Sequence, residues 1–222
     1  MGKGLTAKPG SLRHSRTWRG AIRAIRVIRG LLLVALLTTP ALTQTAAARR
    51  TAARDNTRYD ATFKKYSKRY FGIAFDWRRF KAQAMAESQL NPGAVSPVGA
   101  RGLMQLMPST FAAISSKRPE FSSIDDPEWN IAAGIMHDRH LWKEWSKSID
   151  EPNRPAFMYA SYNAGQTTIT RASELARKAQ LDHTTWESIA QVAPTVPRWR
   201  YRETLGYVTK IDTLYKKLST QR

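Results

Sequence analysis

The sequence predicts an all-helical domain, and three observations carry that prediction. Beyond residue 60, apolar side chains recur at three- and four-residue intervals, and no stretch alternates as a half-buried strand does. The periodic stretches are separated by Pro, Gly, Asn and Asp, which open, cap or stop helices. Hydrophobic residues make up 42% of the 222, with seven Trp and eight Tyr, so a real core can form.

Residues 1–48 precede the domain and read as an export signal or membrane anchor. Residues 1–50 hold ten Lys and Arg and no acid, which leaves 19 − 10 = +9 of the +19 formal charge for the rest of the chain. The basic "RGAIRAIRVIRG" runs into the apolar "LLLVALL" at 31–37, then Pro40 and the small-residue tract "TAAARR", the order of a secretory signal. A membrane span needs roughly 20 apolar residues, so the short run favours cleavage over anchoring. The basic stretch alone also fits a helix on a membrane surface or nucleic acid, but the apolar run directly after it favours export. Residues 49–59 are polar without a hydrophobic period and read as a linker.

Residues 60–222 form the domain. "ATFKKYSKRYF" spaces Phe63, Tyr66 and Tyr70 at helical intervals, and Asp76 is placed to cap "WRRFKAQAMAESQL", which Asn91, Pro92 and Gly93 then stop. Pro108 and Ser109 open "STFAAI". Asp125, Asp126 and Pro127 precede "EWNIAAGIMHDRHLWKEW". "RPAFMYASYNAG" ends at Gly165, and "YRETLGYVTKIDTLYKKL" carries an apolar stripe of Tyr201, Leu205, Val208, Ile211, Leu214 and Tyr215. There are no cysteines, which excludes disulfides, thiolate metal sites and a cysteine nucleophile.

One acid stands apart. Between Asp76 and Glu120 only Glu87 is acidic. At about 100° per residue, Glu87 falls about 20° from Phe80 and about 60° from Ala84, on the arc that also bears Trp77. A carboxyl on such an arc loses hydration, which raises its pKa toward the range of a general acid. A glutamate that bends out to water, or pairs with a distant Arg, fits the wheel as well. Downstream, "NPGAVSPVGARG" contains one charge, Arg101, and many Gly, Pro, Ser and Asn, so its backbone can approach a polyhydroxylated ligand. Gln105 can hydrogen-bond such a ligand without adding charge, and "YASYNAG" brings Tyr162 and Asn163 to a helix end.

"ES" at 87–88, "GLMQ" at 102–105 and "SYNAG" at 161–165, in this order and spacing, resemble the soluble lytic transglycosylase family, whose catalytic domain has a goose-type-lysozyme-like fold. "WNIAAGIMHDRHL" and "YRETLGYVTKI" are similar to its later segments, so the likeness covers roughly residues 60–218. "RYFGIAFDWRRFKAQAMAES" looks most like the catalytic half of the membrane-bound F type, whose extra solute-binding-like domain has no counterpart in this chain. Ser161 stands where the family more often has Ala.

The resemblance implies non-hydrolytic cleavage of the β-1,4 bond between N-acetylmuramic acid and N-acetylglucosamine in peptidoglycan, leaving 1,6-anhydro ends. It makes Glu87 the catalytic acid and then base. It implies that Ser88 and Gln105 orient sugar and carboxylate groups, that Met104 forms a wall, and that Tyr162 and Asn163 line the site. No cofactor or metal is implied. The expected partner is the glycan strand of peptidoglycan, not nucleic acid. The expected place is the periplasm or envelope, with peripheral or anchored membrane association open, and the expected state is a monomer.

Two other functions compete. A goose-type-like lysozyme would need a second, water-positioning acid, for which Asp125, Asp126, Asp138 and Glu174 are candidates. A non-catalytic peptidoglycan-binding module would use the same cleft. Among weaker constellations, His137 and His140 are spaced as helical metal ligands but lack a third, and more often such a pair sits on a solvated face. Trp142 and Trp145 either stack on sugars or pack, and Trp199 with Tyr201 either rims a groove or joins the core.

Overall fold

In the computed structural model, residues 56–220 are described, and eight α-helices carry them. These are α1 Asp60–Phe71, α2 Arg78–Ser88, α3 Pro108–Ser115, α4 Pro127–Trp145, α5 Arg154–Ala164, α6 Gln166–Lys178, α7 Trp186–Val192 and α8 Tyr201–Thr220. A 3₁₀ turn, Ala193–Thr195, follows α7. Among the described residues there is no strand, only isolated bridges joining Val95 to Arg101 and Arg101 to Leu106. The export or anchor reading of residues 1–48 lies outside the described residues. Within the stretch read above as a linker, Tyr59 is buried, and its carbonyl accepts the Phe63 N–H at 3.0 Å.

Side-chain caps stand at two of the described helix starts, Asp126 before α4 and Thr185 before α7. Asp126 accepts the N–H groups of Glu128 at 2.8 Å and Trp129 at 3.1 Å, and Pro127 opens α4 where its missing N–H costs nothing. Asp76 accepts the Arg78 N–H at 3.0 Å, but it stands one residue before the N-cap position, which is Trp77, so the expected Asp76 cap becomes a contact just outside α2. The end of α2 differs from the expectation. The helix stops at Ser88, before Asn91, because Gln89 and Leu90 both adopt left-handed backbone at φ 57° and 63°.

Helices α6 and α7 are additions to the sequence reading, which passed from Gly165 to Tyr201. Ile169, Ala172 and Ala176 are the buried residues of α6 and keep a helical period, but two of the three are alanines and weigh little in a hydropathy pattern. The seven-residue α7 is too short to show a period and is fixed by its Thr185 cap, which accepts the Ser188 N–H at 3.4 Å.

Helix α4 is the central element. It buries Ile131, Ala132, Ala133, Gly134, Ile135 and Leu141 and packs on α1, α3 and α5. Its small residues admit close neighbours: a Cβ at Gly134 would stand 2.7 Å from the Met104 side chain. Helix α8 lies antiparallel along α2, with Tyr215 bonded to Asp76 at one end and Tyr207 to Glu87 at the other. This pairing brings the C-terminal helix to the end of α2.

The tryptophans resolve toward packing. Trp142 is buried in a cluster with Phe71 and Phe75, at ring separations of 5.8 and 5.2 Å. Trp145 is buried and donates its indole N–H to Ser161 at 2.9 Å, and Trp199 donates to Thr204 at 2.9 Å. Tyr201 remains half-buried at the start of α8.

Candidate active site

Glu87 occupies the last turn of α2, part-buried, and its Oε1 accepts the Tyr207 hydroxyl at 2.5 Å. Burial raises the carboxyl pKa from 4.5 to about 7. The Tyr207 hydrogen bond and the Lys210 charge pull in the other direction without reversing it. Because Tyr207 engages Oε1, the proton of the neutral acid belongs on Oε2. Lys210 is itself held at the helix end, donating to the Ala86 carbonyl at 2.7 Å. Tyr207 and Lys210 were not singled out by the sequence reading. The available signal was their place on the polar side of the closing stripe, which only the α2–α8 pairing connects to Glu87.

The "GLMQ" loop stands against this helix end. Ser88 directs its hydroxyl at the Leu103 carbonyl, 2.9 Å away, with Ala84 O at 3.2 Å as a second acceptor. Arg101 and Leu106 exchange backbone hydrogen bonds of 2.9 and 3.0 Å, closing the four residues between them into a tight turn. Asn130, buried on α4, fixes that turn: its Nδ2 donates to Arg101 O at 3.0 Å and Ile124 O at 2.9 Å, and its Oδ1 accepts Met104 N–H at 2.8 Å. Gly102 permits the approach, since its φ is +79° and a Cβ would fall 2.3 Å from Asn130 Nδ2.

The expected site residues take distinct places. Gln105 has left-handed backbone at φ 45°, and its Nε2 donates to Ala94 O at 3.1 Å and Gly102 O at 2.9 Å. Both partners are carbonyls, so the amide orientation is fixed and Oε1 is the atom left for a ligand donor. Tyr162 donates to Met104 O at 2.8 Å, locking α5 to the loop. Asn163 is exposed, and its Oδ1 accepts from Thr204 at 2.8 Å, which leaves Nδ2 as its outward donor. Met104 departs from the expectation of a wall residue. Its side chain has 0% exposure and packs against Gly134, and its backbone carbonyl is the group that accepts the Tyr162 hydroxyl.

A cavity of about 520 Å³ between α3 and α4 is lined by Thr110, Ile114, Met136, His137 and His140, among others. The His137 ring lies 5.2 Å from the Tyr162 ring, which places this cavity beside Tyr162. His137 is pushed down to about 4 by burial and by His140, and is therefore a neutral imidazole near pH 7. Among the described residues, no three His, Cys, Asp or Glu side chains gather into a metal-sized group.

The four candidate second acids are all otherwise disposed. Asp125 takes two hydrogen bonds from Arg101, at 2.9 and 2.7 Å, and Asp126 caps α4. Glu174 is exposed on α6, and Asp138 has 0% exposure and cannot touch a substrate. Glu87 is thus one acid of near-neutral pKa, steadied by a phenol and a lysine.

A helical body that presents a single acid of this kind at a helix end has the plan of a lysozyme-like domain. The chain belongs to the transglycosylase SLT domain family, whose model matches residues 62–184. It is 34% identical over 150 residues to a membrane-bound lytic murein transglycosylase F of Shewanella pealeana, and 31% identical over 172 residues to that of Photobacterium profundum. These alignments cover 68% and 72% of this chain, which spans about a third of the relatives' length, 29% and 32%. Among solved structures, the 70 kDa soluble lytic transglycosylase of Escherichia coli is similar with a TM-score of 0.56 and 27% identity, covering 78% of this chain and 27% of that one. A complex of a 70 kDa soluble lytic transglycosylase with bulgecin A gives a TM-score of 0.55 at 26% identity, over 79% of this chain and 27% of that one.

Proposed function

We propose that this chain is an exported peptidoglycan lytic transglycosylase. It cleaves the β-1,4 bond between N-acetylmuramic acid and N-acetylglucosamine and leaves a 1,6-anhydromuramyl end. The observation that carries the reading is the Glu87 carboxyl, held near neutrality without an acidic partner. In the first step Oε2 gives its proton to the glycosidic oxygen, and the bond to the anomeric carbon breaks. The carboxylate that forms is stabilised by the Tyr207 hydroxyl and Lys210. In the second step it takes the proton of the muramyl C6 hydroxyl as that oxygen bonds to the anomeric carbon, so no water is consumed. One acid of matched pKa can serve both steps, and a two-carboxylate glycosidase pair is unnecessary.

Around it, Gln105 Oε1 and Asn163 Nδ2 supply one acceptor and one donor for sugar hydroxyl, acetamido or lactyl groups. Ser88 and Tyr162 support the reading differently from the first expectation: their hydroxyl protons are committed to Leu103 and Met104 carbonyls, so they hold the loop beside the acid. The excess of basic residues suits a polymer bearing carboxylates. A cell-wall substrate, together with the reading of residues 1–48 as an export segment, supports an envelope location for the enzyme.

The test is digestion of purified peptidoglycan followed by mass measurement of the muropeptides. Products one water lighter than reducing ends are expected, and Glu87→Gln should release none. Reducing ends would make the enzyme a lysozyme. No release by the parent protein, or equal release by Glu87→Gln, would overturn the catalytic assignment.

A further inference from the structure

Beneath the site, α4 and α2 bury two polar side chains against each other. Asp138 and Gln83 both have 0% exposure, and Gln83 Nε2 donates to Asp138 Oδ1 at 3.3 Å. The remaining two polar atoms of the pair, Asp138 Oδ2 and Gln83 Oε1, are buried without any partner. If Asp138 were ionised, both would be acceptors with nothing to accept, and a charge would lie in the core without a counterion. A single proton on Oδ2 removes both deficits. The acid then donates to Gln83 Oε1 while Gln83 Nε2 donates to Oδ1, closing a neutral acid–amide ring.

We propose that Asp138 is a buried, protonated positioning residue, paired with Gln83, which keeps the floor beneath Glu87 free of charge. The surroundings agree. Helix α2 presents Glu87 along with Gln83, α5 presents Tyr159 and Tyr162, and α8 presents Tyr207. None is a cation. Tyr66 of α1 is committed to Glu128 at 2.8 Å and Lys81 to Asp60 at 2.7 Å; Arg79 stacks on Tyr215 at 4.2 Å and acts on Tyr159, while the groups acting on Asp138 itself are Gln83 and Glu87. Burial and the Glu87 charge both push the Asp138 carboxyl upward, the Gln83 contact opposing them only in part.

The consequence for Glu87 rests on the role proposed for it above. A second negative charge below would hold Glu87 protonated and stop its return from acid to base. A neutral Asp138 leaves the Glu87 proton affinity to burial, Tyr207 and Lys210 alone.

Two measurements need no turnover. Among the described residues, Glu87 and Asp138 are the carboxyls whose pKa is raised. Infrared spectra of Glu87→Gln at about pH 7 should therefore still show a protonated-carboxyl C=O band, absent from Glu87→Gln/Asp138→Asn. Loss of the band in Glu87→Gln alone overturns the proposal, whether or not the double variant folds. Asp138→Asn replaces the acid O–H by an amide N–H and needs no proton, so its melting temperature should gain on the parent's as pH rises from about 5 to about 8. A gap that stays constant or shrinks would sink the idea.

The third measurement is the pH midpoint of Glu87 in the activity profile. It should be the same in Asp138→Asn as in the parent, and a fall of about one unit or more would mean that Asp138 is charged in the working range. If the parent cleaves nothing, the proposed function fails while the infrared and melting results still decide the pair.

Discussion

Replacing Tyr207 by Phe removes one hydroxyl from beside Glu87 and leaves the surrounding shape intact. Oε1 loses its 2.5 Å donor, while the burial that raises the pKa remains. A hydrogen bond to a charged group contributes about 1.5–3 kcal/mol, which at about 1.4 kcal/mol per unit is a rise of about one to two pKa units. The direction follows from which form the hydroxyl favours: it donates to the carboxylate, so its loss keeps the acid protonated to higher pH. In Tyr207→Phe the alkaline limb of kcat/KM should therefore move up by about one to two units. The carboxylate that forms in the first step is also less stabilised, so the rate at the optimum should fall about 10- to 100-fold. The assay is release of anhydro ends from peptidoglycan across the pH range, with melting temperature as a check on folding. A folded variant whose limb stays put, or moves down, refutes the account of how Glu87 is poised.

Three further outcomes concern stability. The raised Glu87 pKa means that the folded state loses stability as pH rises from 4.5 toward about 7; Glu87→Gln should exceed the parent by up to about 3 kcal/mol at about pH 8, the gap closing near pH 4, in urea melts. A gap independent of pH would remove burial as the cause. Gly102→Ala should cost about 2 kcal/mol or more, since it strains a left-handed φ and drives a Cβ into Asn130, and an unchanged urea midpoint would contradict the glycine's role. Gly134→Ala should cost about 1–3 kcal/mol by overpacking Met104, with part of the loss recovered when Met104→Ala is added, as read by the same melts.

How much could be read beforehand depended on whether a feature was local in the chain. Helices with caps or apolar stripes are plain in the sequence: Asp126 with Pro127 for α4, Gly165 at the end of α5, and Val208 with Ile211 on α8. Helix α6 is not, because alanines at Ala172 and Ala176 bury fully without weighing in a pattern. Of the residues proposed for the site, Glu87 stands out in the sequence by its isolation but acquires a role only with the motifs around it, and Gln105 and Asn163 are picked out by motif order. Tyr207 is not, since 120 positions separate it from Glu87 and nothing in its own segment points there. Met104 shows the converse limit. Motif position implied a wall, whereas the missing side chain at Gly134, thirty residues on, draws it into the core.

Strain is concentrated where the acid is displayed. Gln89 and Leu90, directly after α2, and Gln105 in the facing turn all hold left-handed backbone without being glycine. Each such residue costs of order 1–3 kcal/mol unless its surroundings dictate it. Here they do: Asn91 N–H bonds Ser88 O at 3.1 Å, Ser88 bonds Leu103, and the Gln105 amide spans two carbonyls of its own loop. Had α2 continued another turn, its backbone would have kept climbing along the helix axis instead of turning back at Gln89 toward the loop. The abrupt stop leaves Glu87 in the final turn, with α8 on one side and the "GLMQ" turn linked to its neighbour Ser88. In the acid–base role proposed for Glu87, rate would fall steeply with a misaimed proton, and a rigid and costly helix end suits a fixed Oε2. On this view the backbone strain and the raised pKa share one origin, the close approach of a loop and a helix to the end of α2, which both bends the chain and removes water from the carboxyl.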